Sequence, residues 1–123
     1  MYNDETVFGS WTTNFLSPGF RATGKLMVTA AGIYFLPSTI ITGSIQKATG
    51  LFREQDGGGY VCRLTPQDIL SVTAKSKLLN KRIVMRVRNL EDIEQEAIID
   101  NGVLSIKPII EAISKLAKVD GTV

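Results

Sequence analysis

Two stretches late in the chain, 82–88 and 94–100, alternate polar and apolar residues so regularly that one antiparallel pairing suits both. Folded about Glu91, they set Arg88 opposite Glu94, Arg86 opposite Glu96, Val84 opposite Ile98 and Arg82 opposite Asp100. The other face carries Ile83, Met85 and Val87 against Ile99, Ala97 and Gln95. Because successive strand residues point to opposite faces, the hairpin has one charged side and one apolar side. Each opposite-charge pair contributes only ~0.2–1 kcal/mol. A one-residue slip, however, would exchange the two faces, so the burial pattern fixes the register. The apolar side then needs a cover.

The end of the chain offers one. Across 105–118, Ile106, Ile109, Ile110, Ile113, Leu116 and Ala117 recur at the spacing of one helical stripe, with Lys107, Glu111, Ser114, Lys115 and Lys118 opposite. Ser105 suits an N-cap, and Pro108 falls in the first turn, where a missing N–H costs nothing. The late lysines complement the negative end of the helix. The stripe is too apolar and too weakly cationic for a free membrane-surface helix, and is expected to close one end of a curved sheet.

Five further strands are expected at 8–16, 24–29, 33–36, 60–64 and 69–74. Trp11, Thr13 and Phe15 share a face in the first, which makes Trp11 a core residue rather than an aromatic platform. Ser17-Pro18-Gly19, Ala30-Ala31-Gly32 and Thr65-Pro66-Gln67-Asp68 read as turns, and Pro37 stops the third strand. Cys62, within the fourth, is expected to be a buried, inert thiol, since no helix N-terminus or clear basic partner flanks it. Residues 1–123 thus read as one mainly β domain, a seven-stranded, partly open antiparallel barrel capped by a C-terminal helix. The stretch 38–59 is expected as an irregular insertion. Its Ile40, Ile41, Leu51 and Phe52 form a partner-contact patch if the insertion stays outside, and become core if it folds back as an extra hairpin.

The chain has 123 residues and a formal net charge of +2, too balanced for a nucleic-acid surface. It has no histidine and one cysteine, which removes His-dependent triads, the common zinc sites and any internal disulfide. Gly57-Gly58-Gly59 lacks the Lys-Ser/Thr of a phosphate-gripping loop and reads as a loop tip. No window is long and apolar enough to span a bilayer, and the acidic first five residues show no signal-peptide core. The expectation is a cytoplasmic, non-catalytic protein without metal or cofactor.

Thr13-Asn14-Phe15 followed by Gly24-Lys25-Leu26-Met27-Val28-Thr29 and Ile33-Tyr34-Phe35 resembles the opening hairpin of GRAM-like and bacterial PH-like domains, with their N-x-F…G-K-L-x-L-T…L-x-F pattern. Leu64-Thr65-Pro66-Gln67-Asp68-Ile69-Leu70-Ser71-Val72 is similar to their I-P-L-x-D-I-x-x-V segment. The resemblance covers roughly residues 10–117. It implies the pleckstrin-homology (PH-like) superfold and a binding or scaffolding role. A barrel-plus-helix layout without catalytic residues leads to the expectation of a protein partner, and the apolar residues of 38–59 to that of copies of the chain itself. Only Arg21 and Lys25 stand where phosphoinositide-binding members carry a basic cluster. The alternative is weak attachment to an anionic membrane surface. Its candidate contacts are Lys75, Lys77 and Lys81, which the hairpin register leaves without acidic partners.

Overall fold

The computed structural model describes residues 6–45 and 50–119, without the side chains of 117–119. The acidic first five residues, part of the 38–59 stretch and the side chain of Ala117 lie outside that description.

Among the described residues, eight strands form one antiparallel sheet: β1 (Val7–Ser17), β2 (Phe20–Thr29), β3 (Gly32–Thr42), β4 (Phe52–Glu54), β5 (Tyr60–Leu64), β6 (Ile69–Ser76), β7 (Lys81–Arg88) and β8 (Glu94–Asp100). Helix α1 (Lys107–Val119) follows. In space the order is β4-β5-β3-β2-β1-β8-β7-β6. The strand count therefore corrects from seven to eight. The extra strand, β4, comes from the stretch expected to be irregular.

The β7–β8 register has the four cross-strand partners read from the sequence, from Arg82↔Asp100 to Arg88↔Glu94. Ile83, Met85, Val87, Ala97 and Ile99 are buried on its inner face. The ion pairs are less regular. Arg82 binds Asp100 at 2.8 Å, but Arg86 reaches diagonally to Glu94 at 3.0 Å and Arg88 binds Asp92 in the turn at 3.2 Å. Backbone register constrains Cβ positions, while a long guanidinium still chooses among neighbours.

β3 does not stop at Pro37. It runs to Thr42, with a register shift where Thr23 and Gly24 face Thr39 and Pro37. The shift accommodates the residue that has no N–H to donate. Gly24 makes it sterically feasible, because a Cβ there would overlap the Leu36 carbonyl and approach Pro37 Cα to 2.8 Å. Ser38 Oγ then donates to the Thr23 carbonyl at 3.0 Å. β2 also begins earlier than expected, at Phe20, where Pro18-Gly19 closes a tight turn.

β4 and β5 form a hairpin whose turn contains the glycine triplet at φ +89°, +99° and +83°. Positive φ explains three glycines where a side chain would be strained. The hairpin carries Leu51 and Phe52 into the core, each 3 % exposed. Phe52 lies against Phe15, Phe20 and Phe35, at ring-centroid separations of 5.7, 5.3 and 6.5 Å. Contact between β4 and β1, four places apart in the sheet, requires the sheet to curl. Across the gap the Leu90 N–H donates to the Gly50 carbonyl at 2.7 Å. The sheet remains unclosed, with β4 and β6 as free edges.

Helix α1 packs on β1 and β2, mid-sheet. Ile106, Ile109, Ala112, Ile113 and Leu116 are buried beneath it, and Ile110 is half-buried at the margin. Ala112 joins the expected stripe because it sits one turn before Leu116. Ser105 Oγ accepts a hydrogen bond from the Lys107 N–H at 3.2 Å, near the helix start. Trp11 packs at the edge of the same core, in phase with Thr13 and Phe15.

Candidate functional site

The proposed lysine trio is divided by the fold. Lys75 ends the outer row of β6, directly across from Arg82, and Lys77 begins the β6–β7 loop. The two share a cleft of about 220 Å³ with Asn80, Arg82, Val84, Glu96 and Ile98. Lys81 does not line it; its Nζ donates to the Val103 carbonyl at 3.3 Å. Arg82 is committed to Asp100, which is 4 % exposed and also accepts the Gly102 N–H at 2.8 Å. Lys75 and Lys77 make no ion pair among the described residues, so the cleft holds two such ammonium groups and one carboxylate, Glu96, a balance that receives an anion weakly.

The apolar patch is divided too. Ile40 and Ile41 remain 40 % and 54 % exposed at the end of β3. Leu51 and Phe52 are core residues, so the reading of these two as partner contacts is corrected. Burial of about 150–250 Å² per aromatic ring strongly favours the folded-back arrangement.

A second cleft, of about 230 Å³, was not anticipated. Arg53, Arg63, Arg88 and Asp68 line it together with Gly50, Leu51, Leu64, Asn89 and Leu90. Arg63 lies over the Tyr34 ring at 5.8 Å, and Arg88 is held by Asp92. Arg53 makes no ion pair among the described residues. Three guanidinium groups from β4, β5 and β7 meet only because the sheet curls, and spacing along the sequence does not reveal that. Asp68 is tied down by the Thr65 N–H and hydroxyl at 3.0 and 2.8 Å, which shapes the turn rather than the cleft chemistry.

The longest unpaired surface is β6. It forms the sheet edge, and seven of its eight residues are exposed. Val72 on this strand is 39 % exposed, and Leu70, in the adjoining bulge, 40 %. No proline interrupts it, and Lys75 is its single charge. The opposite edge, β4, has three residues and is protected by shortness.

No group of three or more metal-ligating side chains occurs among the described residues. Cys62 is fully buried, and burial pushes its thiol up to about 12, against a lowering by Arg53 and a further rise from Asp68. Among the described residues, no helix is long and apolar enough to cross a membrane.

Fold and surface together define a mainly β domain with one antiparallel sheet and one C-terminal helix. No family model matches the chain, and no curated protein matches it. Among solved structures it is similar to the C-terminal domain of an unknown protein from Leishmania infantum, at 11 % identity and a TM-score of 0.56. The alignment covers 93 % of this chain and 83 % of that one, and at such low identity it speaks to fold alone.

Proposed function

We propose that this chain is a non-catalytic PH-like module whose work is protein recognition, including association with copies of itself, along the free edge of β6. Seven strands of five or more residues followed by a C-terminal helix support the PH-like reading, with the three-residue β4 as a short addition. The observation that carries recognition is the bare β6 edge. An eight-residue strand with unpaired backbone groups on one side is a template for an extended segment of another chain. Main-chain hydrogen bonds would supply affinity, and Val72 would supply an apolar contact beside them.

Light scattering after size-exclusion chromatography, across a concentration series, tests this reading. The wild type is expected to rise from monomer toward dimer mass, and Val72→Lys to stay monomeric at every concentration. A wild type that stays strictly monomeric removes self-association. A dimer unaffected by Val72→Lys places the contact elsewhere.

A further inference from the structure

The four most exposed large apolar side chains among the described residues gather at one end of the molecule. They are Leu78 at 86 %, Leu79 at 67 %, Leu104 at 64 % and Val103 at 60 %. The first two form the β6–β7 loop, and the others lie between β8 and α1. Backbone hydrogen bonds join these loops: the Lys81 N–H donates to the Gly102 carbonyl at 2.8 Å, and the Asn101 N–H to the Lys81 carbonyl at 2.9 Å. The Lys81 ammonium on the Val103 carbonyl adds a third tie.

This exposure is built rather than incidental. The Lys77 N–H donates to the Asn80 carbonyl at 3.2 Å, which leaves Leu78 and Leu79 at the tip of a closed turn. The Leu104 N–H donates to the Asn101 carbonyl at 3.1 Å, and Asn101 Nδ2 donates to the Ser105 carbonyl at 3.0 Å. Tight turns favour Gly, Asn, Asp, Pro and Ser for reasons of backbone geometry. Two consecutive leucines at a tip serve no such purpose, and here the hydrogen bonds hold them in water.

Cations surround the tips. Lys77 precedes Leu78, Lys75 stands beside it on β6, and Lys107 is three residues past Leu104. The nearest acid in sequence to either tip is Asp100, which is spent on Arg82 and the Gly102 amide. Glu96 lies farther along β8, within the cleft behind Lys75 and Lys77.

We propose that this end of the molecule docks on an anionic lipid bilayer. Leu78, Leu79, Val103 and Leu104 enter the boundary between headgroups and acyl chains, while Lys75, Lys77 and Lys107 contact lipid phosphates and carboxylates. Protruding aliphatic tips with flanking lysines match a bilayer interface better than a protein surface, where lysine is depleted and aromatic anchors are favoured. A lysine beside an anionic membrane contributes about fivefold to partitioning. A leucine withdrawn from water contributes roughly tenfold or more. Two loops acting together supply the apolar and ionic signals that a stable surface attachment requires.

Cosedimentation of the full chain with vesicles tests the proposal. Vesicles of equimolar phosphatidylcholine and phosphatidylserine are compared with phosphatidylcholine alone. The wild type is expected to bind the mixed vesicles at least tenfold more tightly, with affinity falling as salt rises. Leu78→Ser/Leu79→Ser is expected to lose tenfold or more on mixed vesicles, and Lys75→Glu/Lys77→Glu to lose the anionic preference. Ile93→Ser, in the turn at the far end of the β7–β8 hairpin, is the control and is expected to bind like wild type. Circular dichroism checks that each variant keeps the fold. No binding to mixed vesicles, equal binding to both compositions, or an Ile93→Ser loss matching that of the leucine pair would each overturn the proposal.

Discussion

Thr13 is a buried residue at odds with its surroundings: its hydroxyl is enclosed in the core and has no hydrogen-bond partner among the described residues. Thr13→Val keeps the shape and removes the desolvated oxygen, so it is expected to raise stability by ~1 kcal/mol in urea denaturation. A loss of stability would mean that the oxygen has a partner. Cys62 makes a pH-dependent contribution. Burial raises its folded-state value above the ordinary thiol value of 9.0, so the neutral thiol favours the fold up to about pH 9. Between there and about 12 the unfolded chain loses a proton that the folded one keeps, and stability falls by up to ~1.4 kcal/mol per pH unit. Cys62→Ala is expected to flatten that alkaline decline, and the native thiol to resist aromatic disulfide reagents until the protein unfolds. Burial of this thiol was legible from its place in a strand. Thr13 was legible only as an inward-facing residue, because what its oxygen meets depends on the whole core.

At the scale of elements, local patterns were readable and distant ones were not. The β7–β8 register and the helical stripe follow from periodicities within a few residues, and the structure keeps both. The move of Arg86 to Glu94 and of Arg88 to Asp92 was hidden because it depends on side-chain reach rather than register. The run of β3 past Pro37 was hidden because its cause, Gly24, lies on the neighbouring strand. The fate of Leu51 and Phe52 turned on three phenylalanines from β1, β2 and β3, distant in sequence. Phe52→Ala is accordingly expected to cost about 3–5 kcal/mol and Ile109→Ala about 2–5 kcal/mol, whereas Arg86→Ala, removing a half-exposed pair, should stay within about 1 kcal/mol of wild type. Chemical denaturation ranks the three. A Phe52→Ala cost as small as that of Arg86→Ala would detach β4 from the core described here.

The two proposed surfaces, the β6 edge and the loop end beside it, adjoin on the whole molecule. Two copies paired antiparallel along β6 would carry their leucine tips at opposite poles. Dimers should therefore bridge vesicles, and turbidity of mixed vesicles is expected to rise with wild-type protein but not with Val72→Lys. Neither surface was visible in composition, since a net charge of +2 conceals the gathering of lysines and leucines at one end. Of the sequence-derived candidates, Lys75 and Lys77 remain together, while Lys81 acts as a brace between loops. Amide hydrogen exchange of the full chain, with and without vesicles of equimolar phosphatidylcholine and phosphatidylserine, tests the lipid-facing end directly. Added protection is expected within 77–81 and 101–105 and not in the 89–93 turn. Protection spread evenly over the chain, or centred on Ile40 and Ile41, would contradict the account.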